Sequence, residues 1–270
     1  DINENDKKVI QREAMDYDVV IVGAGPAGLS TAIKLRQLNS EISVCILEKT
    51  RDIGYPVRCG EAIGHAALRQ FVEPKDSWIA SKITGSTLVA PNGTDVHIEF
   101  ANETGYILNR RIFDYDLSRI ASKAGAQIFT KAHVTGLIYE NDKICGVNVN
   151  HLGEEKIIRA KLIIAADGVD SRVGRWAGLK TTIKLKDMES CMQYSVSNID
   201  VRRNNMTMFV GQNYAPGGYL WIFPKGDNYA NIGLGISGSY SREKSAKKYL
   251  DEFIEREFPN ASIHTSMCGG

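Results

Sequence analysis

The residues with the most chemical content are glycines. Gly23, Gly25 and Gly28 stand in G-x-G-x-x-G order inside GAGPAG, a spacing that lets a backbone meet a pyrophosphate. The first permits a tight turn, the second lets the anion approach the main chain, and the third lets helix and strand pack closely. Ala27 sits in the same turn. Glu48 follows the last glycine at the separation of about 20 residues at which an acidic side chain takes the ribose hydroxyls of an adenosine. Together these residues predict a dinucleotide site. Tyr219, Trp221 and Phe223 recur at every second position, so on a strand they share one face, and the pattern alone leaves a wall for an apolar chain and an ordinary core face equally open. His65, His97, His133, His151 and His264 form no H-x-x-x-H or H-E-x-x-H pair, so no metal site is expected, and no G-x-S-x-G elbow is present.

The glycine turn needs a strand before it and a helix after it. Tyr17 to Val22 is a β-branched apolar run of the kind buried on both faces of a parallel sheet, apolar residues then recur at helical spacing from Ala27 to Leu38, and Ile42 to Leu47 is a second buried strand. That is a βαβ unit. A second helix is predicted from Ile112 to Ala124, stopped by Gly125. Strands at 133–140, 144–150 and 156–160 form a meander expected to sit on the first sheet, and Leu162 to Ala166 reads as a fully buried strand ending at Asp167-Gly168. Ser86 to Phe100 and Glu189 to Ile236 have antiparallel character, followed by a helix from Ser241 to Phe258. The expected division is a polar tail at 1–16, a nucleotide domain at 17–75 and 101–180, a substrate domain at 76–100 and 181–258, and a return toward the first domain at 259–270.

Among the 270 residues, 33 Lys and Arg against 32 Asp and Glu leave a net charge of +1, which argues against nucleic acid as a partner. Cys45, Cys59, Cys145, Cys191 and Cys268 are scattered, without a C-x-x-C pair, so neither a disulfide framework nor a zinc knuckle is expected and a reducing, cytoplasmic setting fits. No run approaches the roughly 18 apolar residues of a membrane-spanning helix.

Three further strings carry a family resemblance. LIIAADGVDSRVGRWAGL, residues 162–179, resembles the Asp-Gly motif of the flavoprotein superfamily typified by p-hydroxybenzoate hydroxylase, whose members bind FAD. The resemblance puts Asp167 and Gly168 beside the ribityl-pyrophosphate stretch, with Ser171 and Arg175 completing the pattern. Arg110, Phe113, Asp114 and Leu117 fill a matching R-x-x-F-D-x-x-L. Arg110 is expected against the cofactor, because a cation at a helix start is unfavourable unless an anion lies nearby. GYPVRCGE, residues 54–61, and PGGYLWIFPKGDNYANIGLG, residues 216–235 with a Y-x-W-x-F-P core, resemble geranylgeranyl reductases. That resemblance adds Arg58 and Cys59 to the cofactor contacts, with Cys59 as a catalytic candidate near the flavin ring, and lines a lipid cavity with Tyr219, Trp221, Phe223 and Pro224.

The resemblance implies an α/β fold, with a Rossmann-like FAD-binding sheet and a smaller antiparallel-sheet substrate domain. The implied activity is FAD-dependent saturation of the double bonds of geranylgeranyl chains in membrane lipids. Its partners are a prenyl lipid, an electron donor that is a nicotinamide or a ferredoxin, and a membrane surface touched peripherally. A flavin monooxygenase and an electron-transfer flavoprotein dehydrogenase are the alternatives, sharing the first motifs but not PVRCGE. The family's third flavin motif, a Gly-Asp followed by small residues, is not found in these 270 residues, so the C-terminal part is expected to be truncated.

Overall fold

A computed structural model describes residues 15–101, 104–184 and 187–269. The chain divides into two compact units, one of residues 1–55 and 114–182, the other of residues 56–113 and 183–270.

In the first unit, β1 (Met15–Val22) is joined by α1 (Pro26–Leu38) to β2 (Val44–Leu47). With β8 (Gln127–Phe129), β9 (Ala132–Glu140), β10 (Lys143–His151) and β11 (Glu154–Ala165) they form one sheet in the order β8-β2-β1-β11-β10-β9. The short α4 (Arg172–Trp176) follows β11. β8, β2, β1 and β11 run parallel, whereas β11 meets β10 antiparallel through its first half. The meander therefore extends the sheet edge to edge instead of sitting on it. The two strands predicted at 156–160 and 162–166 are one, because Lys161 turns outward to Asp18 (2.6 Å) without breaking the ladder. Val20, Val22, Val147, Val149, Ile158 and Ala160 form the core of this unit. Ile163 packs against that core, but Leu162, paired with Val19, is 52% exposed, since α1 packs over β1 and β2. The run predicted to be buried on both faces is thus covered on one. At the heart of the sheet, burial pushes the Cys45 thiol up to about 12.

The second unit holds a three-stranded sheet β3-β7-β4, from Ala62–Gly64, Gly105–Leu108 and Ile79–Ile83, with α2 (His65–Arg69) after β3. Its larger sheet has seven strands in the order β16-β12-β15-β14-β13-β5-β6. They are β5 (Gly85–Val89), β6 (Asp95–Glu99), β12 (Glu189–Ser197), β13 (Asn205–Val210), β14 (Tyr219–Pro224), β15 (Tyr229–Ser237) and β16 (Ser262–Gly269). Strand alternation sorts the two faces of this sheet. Tyr194, Val196, Leu220, Ile222, Ile232 and Leu234 pack against Ala246, Leu250, Phe253 and Ile254 of α5 (Ala246–Glu257). The helix starts later than the predicted Ser241, because the Ser245 hydroxyl caps the Lys248 N–H while Ser241 bonds back to the Gly238 carbonyl. α3 (Arg110–Lys123) begins in this unit and continues in the first.

The domain division falls elsewhere than predicted. Residues 56–75 belong with the second unit, because β3 pairs with β7, and residues 262–269 pair with β12 rather than returning to the first unit. Of the predicted tail, 1–14 lie outside the described residues, while Met15 and Asp16 already pair with β11. Among the described residues no helix is long and apolar enough to cross a membrane, and no cluster of His, Cys, Asp or Glu could hold a metal ion.

Leu250 is fully buried between α5 and the large sheet. Leu250→Ala is expected to lower stability by about 2 to 5 kcal/mol in urea unfolding, while Glu255→Ala on the exposed face changes it by less than about 0.5 kcal/mol.

Candidate functional site

Three adjacent parallel strands, β2, β1 and β11, end together in the first unit, and each end carries one of the predicted motifs. Gly23 has φ +107°, and a Cβ there would lie 2.3 Å from the Ala166 carbonyl oxygen, so the glycine turn lies against the Asp167-Gly168 segment. A Cβ on Gly28 would lie 2.0 Å from the Gly23 carbonyl oxygen, which sets the close approach of α1 to the turn. Gly25 differs. It has φ −75°, and a Cβ there would meet nothing within 4 Å. It is the N-cap of α1, with Pro26 next, no side chain capping the helix and no acidic residue in its first turn. The first N–H groups of α1 and the positive end of its dipole therefore face open space, which is the arrangement that binds an anion.

Glu48, half-buried at the end of β2, accepts the Ala24 N–H (2.9 Å) with Oε2, and the Thr50 N–H (2.8 Å) and hydroxyl (2.9 Å) with Oε1. It so holds the glycine turn to the end of its own strand. Asp167 accepts the Val173 N–H (3.0 Å), capping α4, which gives this carboxylate a structural duty beside the predicted one. An exposed ion pair, Lys49 to Asp170 (2.7 Å), joins the loops after β2 and β11.

Arg58, Cys59 and Arg110 belong to the second unit, where one buried residue meets both Cys59 and the start of α3. Glu61, the last residue of PVRCGE, is 6% exposed and has φ +76°, a backbone conformation unusual for a side chain of its size. Its Oε1 accepts the Arg110 N–H at the start of α3 (2.8 Å). Its Oε2 accepts from the Lys225 ammonium after β14 (2.6 Å) and the Asn231 amide in β15 (2.6 Å). Its own N–H points at the Cys59 sulfur (3.3 Å), and its carbonyl accepts the Leu108 N–H (2.9 Å). The anion expected near Arg110 is thus supplied at the helix start by Glu61. Cys59 and Arg58 are exposed.

The same loop is fastened to the aromatic strand. Gln193 donates to the Cys59 carbonyl (3.2 Å) and accepts the Trp221 indole N–H (3.0 Å), and a Cβ on Gly60 would lie 2.8 Å from the Phe223 ring. Trp221 and Phe223 stack at 6.0 Å between ring centres and are buried with Ile83 and Ile107. Gly233 opens the slot for Trp221, whose ring would lie 2.6 Å from a Cβ at that position. Beside this cluster lies a cavity of about 520 Å³ lined by Ile63, Ile83, Phe100, Tyr106, Ile107 and Met206 among others. Trp221 and Phe223 stand behind its wall, not on it; Pro224, two residues after Ile222, falls on the α5 side of the sheet, and Tyr219 is partly exposed at the outer end of β14. The aromatic stripe is therefore a packing layer that backs the cavity. Glu61, Lys225 and Asn231 all lie inside the two family-like strings; Gln193 carried no local signal, since only strand pairing brings it there.

Residues 17–211 match the profile of the pyridine nucleotide-disulphide oxidoreductases, and residues 187–270 that of the geranylgeranyl reductase catalytic domain. The chain is 44% identical over 257 residues to the digeranylgeranylglycerophospholipid reductase of Methanocella arvoryzae, covering 94% of this chain and 65% of that one. The chain belongs to the pyridine nucleotide-disulphide oxidoreductases and is similar over nearly its whole length to geranylgeranyl reductases. It is also 44% identical over 256 residues to digeranylgeranylglycerophospholipid reductase 1 of Methanococcoides burtonii, covering 94% of this chain and 62% of the relative. The crystal structure of a geranylgeranyl bacteriochlorophyll reductase-like protein from Thermoplasma acidophilum superposes with a TM-score of 0.90 at 35% identity, over 95% of this chain and 66% of that one. A flavin-dependent brominase, at 20% identity and a TM-score of 0.76, shares the fold. The chain spans less than two thirds of the length of these reductases.

Removing one partner of a buried ion pair strands the other charge. Glu61→Ala is expected to cost about 3 to 5 kcal/mol in urea unfolding, and Glu61→Leu with Lys225→Met to recover most of that loss. Losses of Glu61→Leu and of Lys225→Met that simply add in the double variant would mean that the two side chains are not coupled.

Proposed function

We propose that this chain carries the cofactor-binding and lipid-binding parts of an FAD-dependent reductase that saturates the geranylgeranyl chains of glycerophospholipids. The observation that carries the reading is the joining of PVRCGE to the YLWIFP strand beside an apolar cavity, by way of Glu61, Gln193 and Phe223. A cavity of about 520 Å³ lies within the roughly 300 to 1,000 Å³ of small-molecule sites, and its lining suits a hydrocarbon.

The first unit fits FAD. The open space at Gly25 and the uncapped N–H groups of Ala27 and Gly28 suit a pyrophosphate, Gly23 and Gly28 hold the turn in shape, and Glu48 stands where a ribose is taken. Asp167 and Gly168 follow along the cofactor, and Arg58, Cys59 and Arg110 are assigned to its flavin end. When bound, FAD supplies the hydride for one alkene carbon while a proton reaches the other. An isolated alkene offers no carbonyl to polarise, so the chain's own residues contribute by orientation. The apolar cavity holds the isoprenoid and excludes water, while the Glu61 cluster fixes the loop that carries Cys59. Electrons come from a nicotinamide or a ferredoxin, and the lipid is reached by peripheral contact with a membrane.

Gly25→Val fills open space without a backbone clash, so it is expected to leave the thermal midpoint unchanged and abolish retention of FAD, read from the visible spectrum of the purified protein. Gly28→Val, by contrast, is expected not to fold. With the full-length reductase, a digeranylgeranyl glycerophospholipid should gain two hydrogens per double bond under reducing conditions; an oxygen-dependent hydroxylated product would contradict the reading.

A further inference from the structure

Beside the apolar cavity the second unit has a polar hollow of about 480 Å³, lined by Thr84, His97, Glu99, Arg202 and Asn204, that shares Phe100 and Ala101 with the cavity. We infer that this hollow takes the phosphorylated polyol headgroup of the lipid whose isoprenoid chain occupies the cavity. The inference rests on the prenyl-lipid reading above and adds to it the part of the substrate that is recognised by charge.

The hollow has fixed walls. The Asn204 carbonyl accepts the N–H groups of both Thr84 (2.9 Å) and Gly85 (3.3 Å), the Asn204 amide donates to the Thr84 hydroxyl (3.1 Å), and the Phe100 N–H donates to the Thr84 carbonyl (2.8 Å). The turn between β4 and β5, the turn before β13 and the end of β6 are so pinned together. Beneath them Asn205, 8% exposed, spends its amide N–H groups on Thr87 (3.0 Å) and the Met206 carbonyl (3.2 Å), which leaves its Oδ1 without a partner next to Gly85. Buried acceptors are ordinarily satisfied.

The lining is mixed in charge. Among the described residues Arg202 and Glu99 take part in no ion pair. A guanidinium presents a planar fork that fits a phosphate, while a carboxylate, an amide and a hydroxyl together accept from and donate to polyol hydroxyls. An apolar cavity continued by such a hollow matches a molecule with a hydrocarbon chain at one end and a phosphorylated polyol at the other. A bare prenyl alcohol would offer the exposed Thr84, His97, Glu99, Arg202 and Asn204 nothing in place of water.

The test is the dissociation constant of the full chain, in detergent micelles, for three probes: digeranylgeranylglyceryl phosphate, geranylgeraniol and glycerol 1-phosphate. Binding is followed by tryptophan fluorescence, since Trp221 backs the cavity. The wild-type protein is expected to prefer the phospholipid to the alcohol, Arg202→Gln to lower that preference about tenfold, and glycerol 1-phosphate alone to bind far more weakly than the lipid. Met206→Glu, which puts a charge into the cavity, should weaken both lipids. A preference unchanged in Arg202→Gln, with Met206→Glu still weakening both lipids, would overturn the headgroup site and leave the prenyl-lipid reading standing. Glycerol 1-phosphate binding as tightly as the lipid would also overturn it, in favour of a site for free sugar phosphates. Failure of the wild-type protein to bind either lipid would overturn both.

Discussion

A carboxylate removed from water keeps its charge only where donors replace the lost hydration, and the three donors that meet the Glu61 side chain come from three different elements. Arg110 brings the start of α3, Lys225 the residue after β14, and Asn231 the beginning of β15. Each donor satisfied is a position fixed, so the loop of PVRCGE cannot shift without exposing or unpairing a charge. The left-handed backbone of Glu61 adds to the constraint. A non-glycine residue held there costs about 1 to 3 kcal/mol and persists where its surroundings determine it. Gln193 and the ring of Phe223 then fasten the residues just before it, Cys59 and Gly60, to the aromatic strand. The cavity beside them inherits a rigid back wall.

The first unit obeys a steric constraint in place of an electrostatic one. Gly23 and Gly28 are required by their own neighbours, since a Cβ at either would overlap a carbonyl oxygen. Gly25 is required by nothing in the protein, and its emptiness is what a ligand at the α1 N-terminus would use. A motif that reads as three equivalent glycines therefore contains two positions that the fold itself requires and one that it leaves open. Glu48 serves the fold as well, because its carboxylate ties the end of β2 to the turn and to Thr50.

The βαβ unit, the three long helices and the two antiparallel stretches were legible in the sequence, because strand and helix periods are local properties, whereas the five-residue α2 and α4 are too short to show one. Where the units divide was not. Ala62 to Gly64 carries no signal that it pairs with β7, and residues 262–269 none that they add a seventh strand to the large sheet, since both depend on partners far away in sequence. Leu162 was misread for a related reason: a run of apolar residues records what a strand can bury, while its exposure depends on where α1 lies. At the site, Tyr219, Trp221 and Phe223 do share a face, but the glycine slot at Gly233 and the Gln193 hydrogen bond draw Trp221 into the packing layer, and neither could be read from a spacing of two. Asp167 and Arg110 were assigned to the cofactor from resemblance, and the structure gives local partners to the Asp167 carboxylate and the Arg110 N–H.

The central claim is that one buried carboxylate couples the loop, the start of α3 and the ends of the aromatic strands. Amide hydrogen exchange on Glu61→Gln against the wild-type protein tests it most directly, because the substitution keeps the side chain's size and removes its charge. Faster exchange appearing together in residues 57–63, at the Arg110 N–H and across 225–231, with α5 unchanged, is the predicted result. Acceleration confined to residues 57–63, or uniform acceleration that includes α5, would contradict the account.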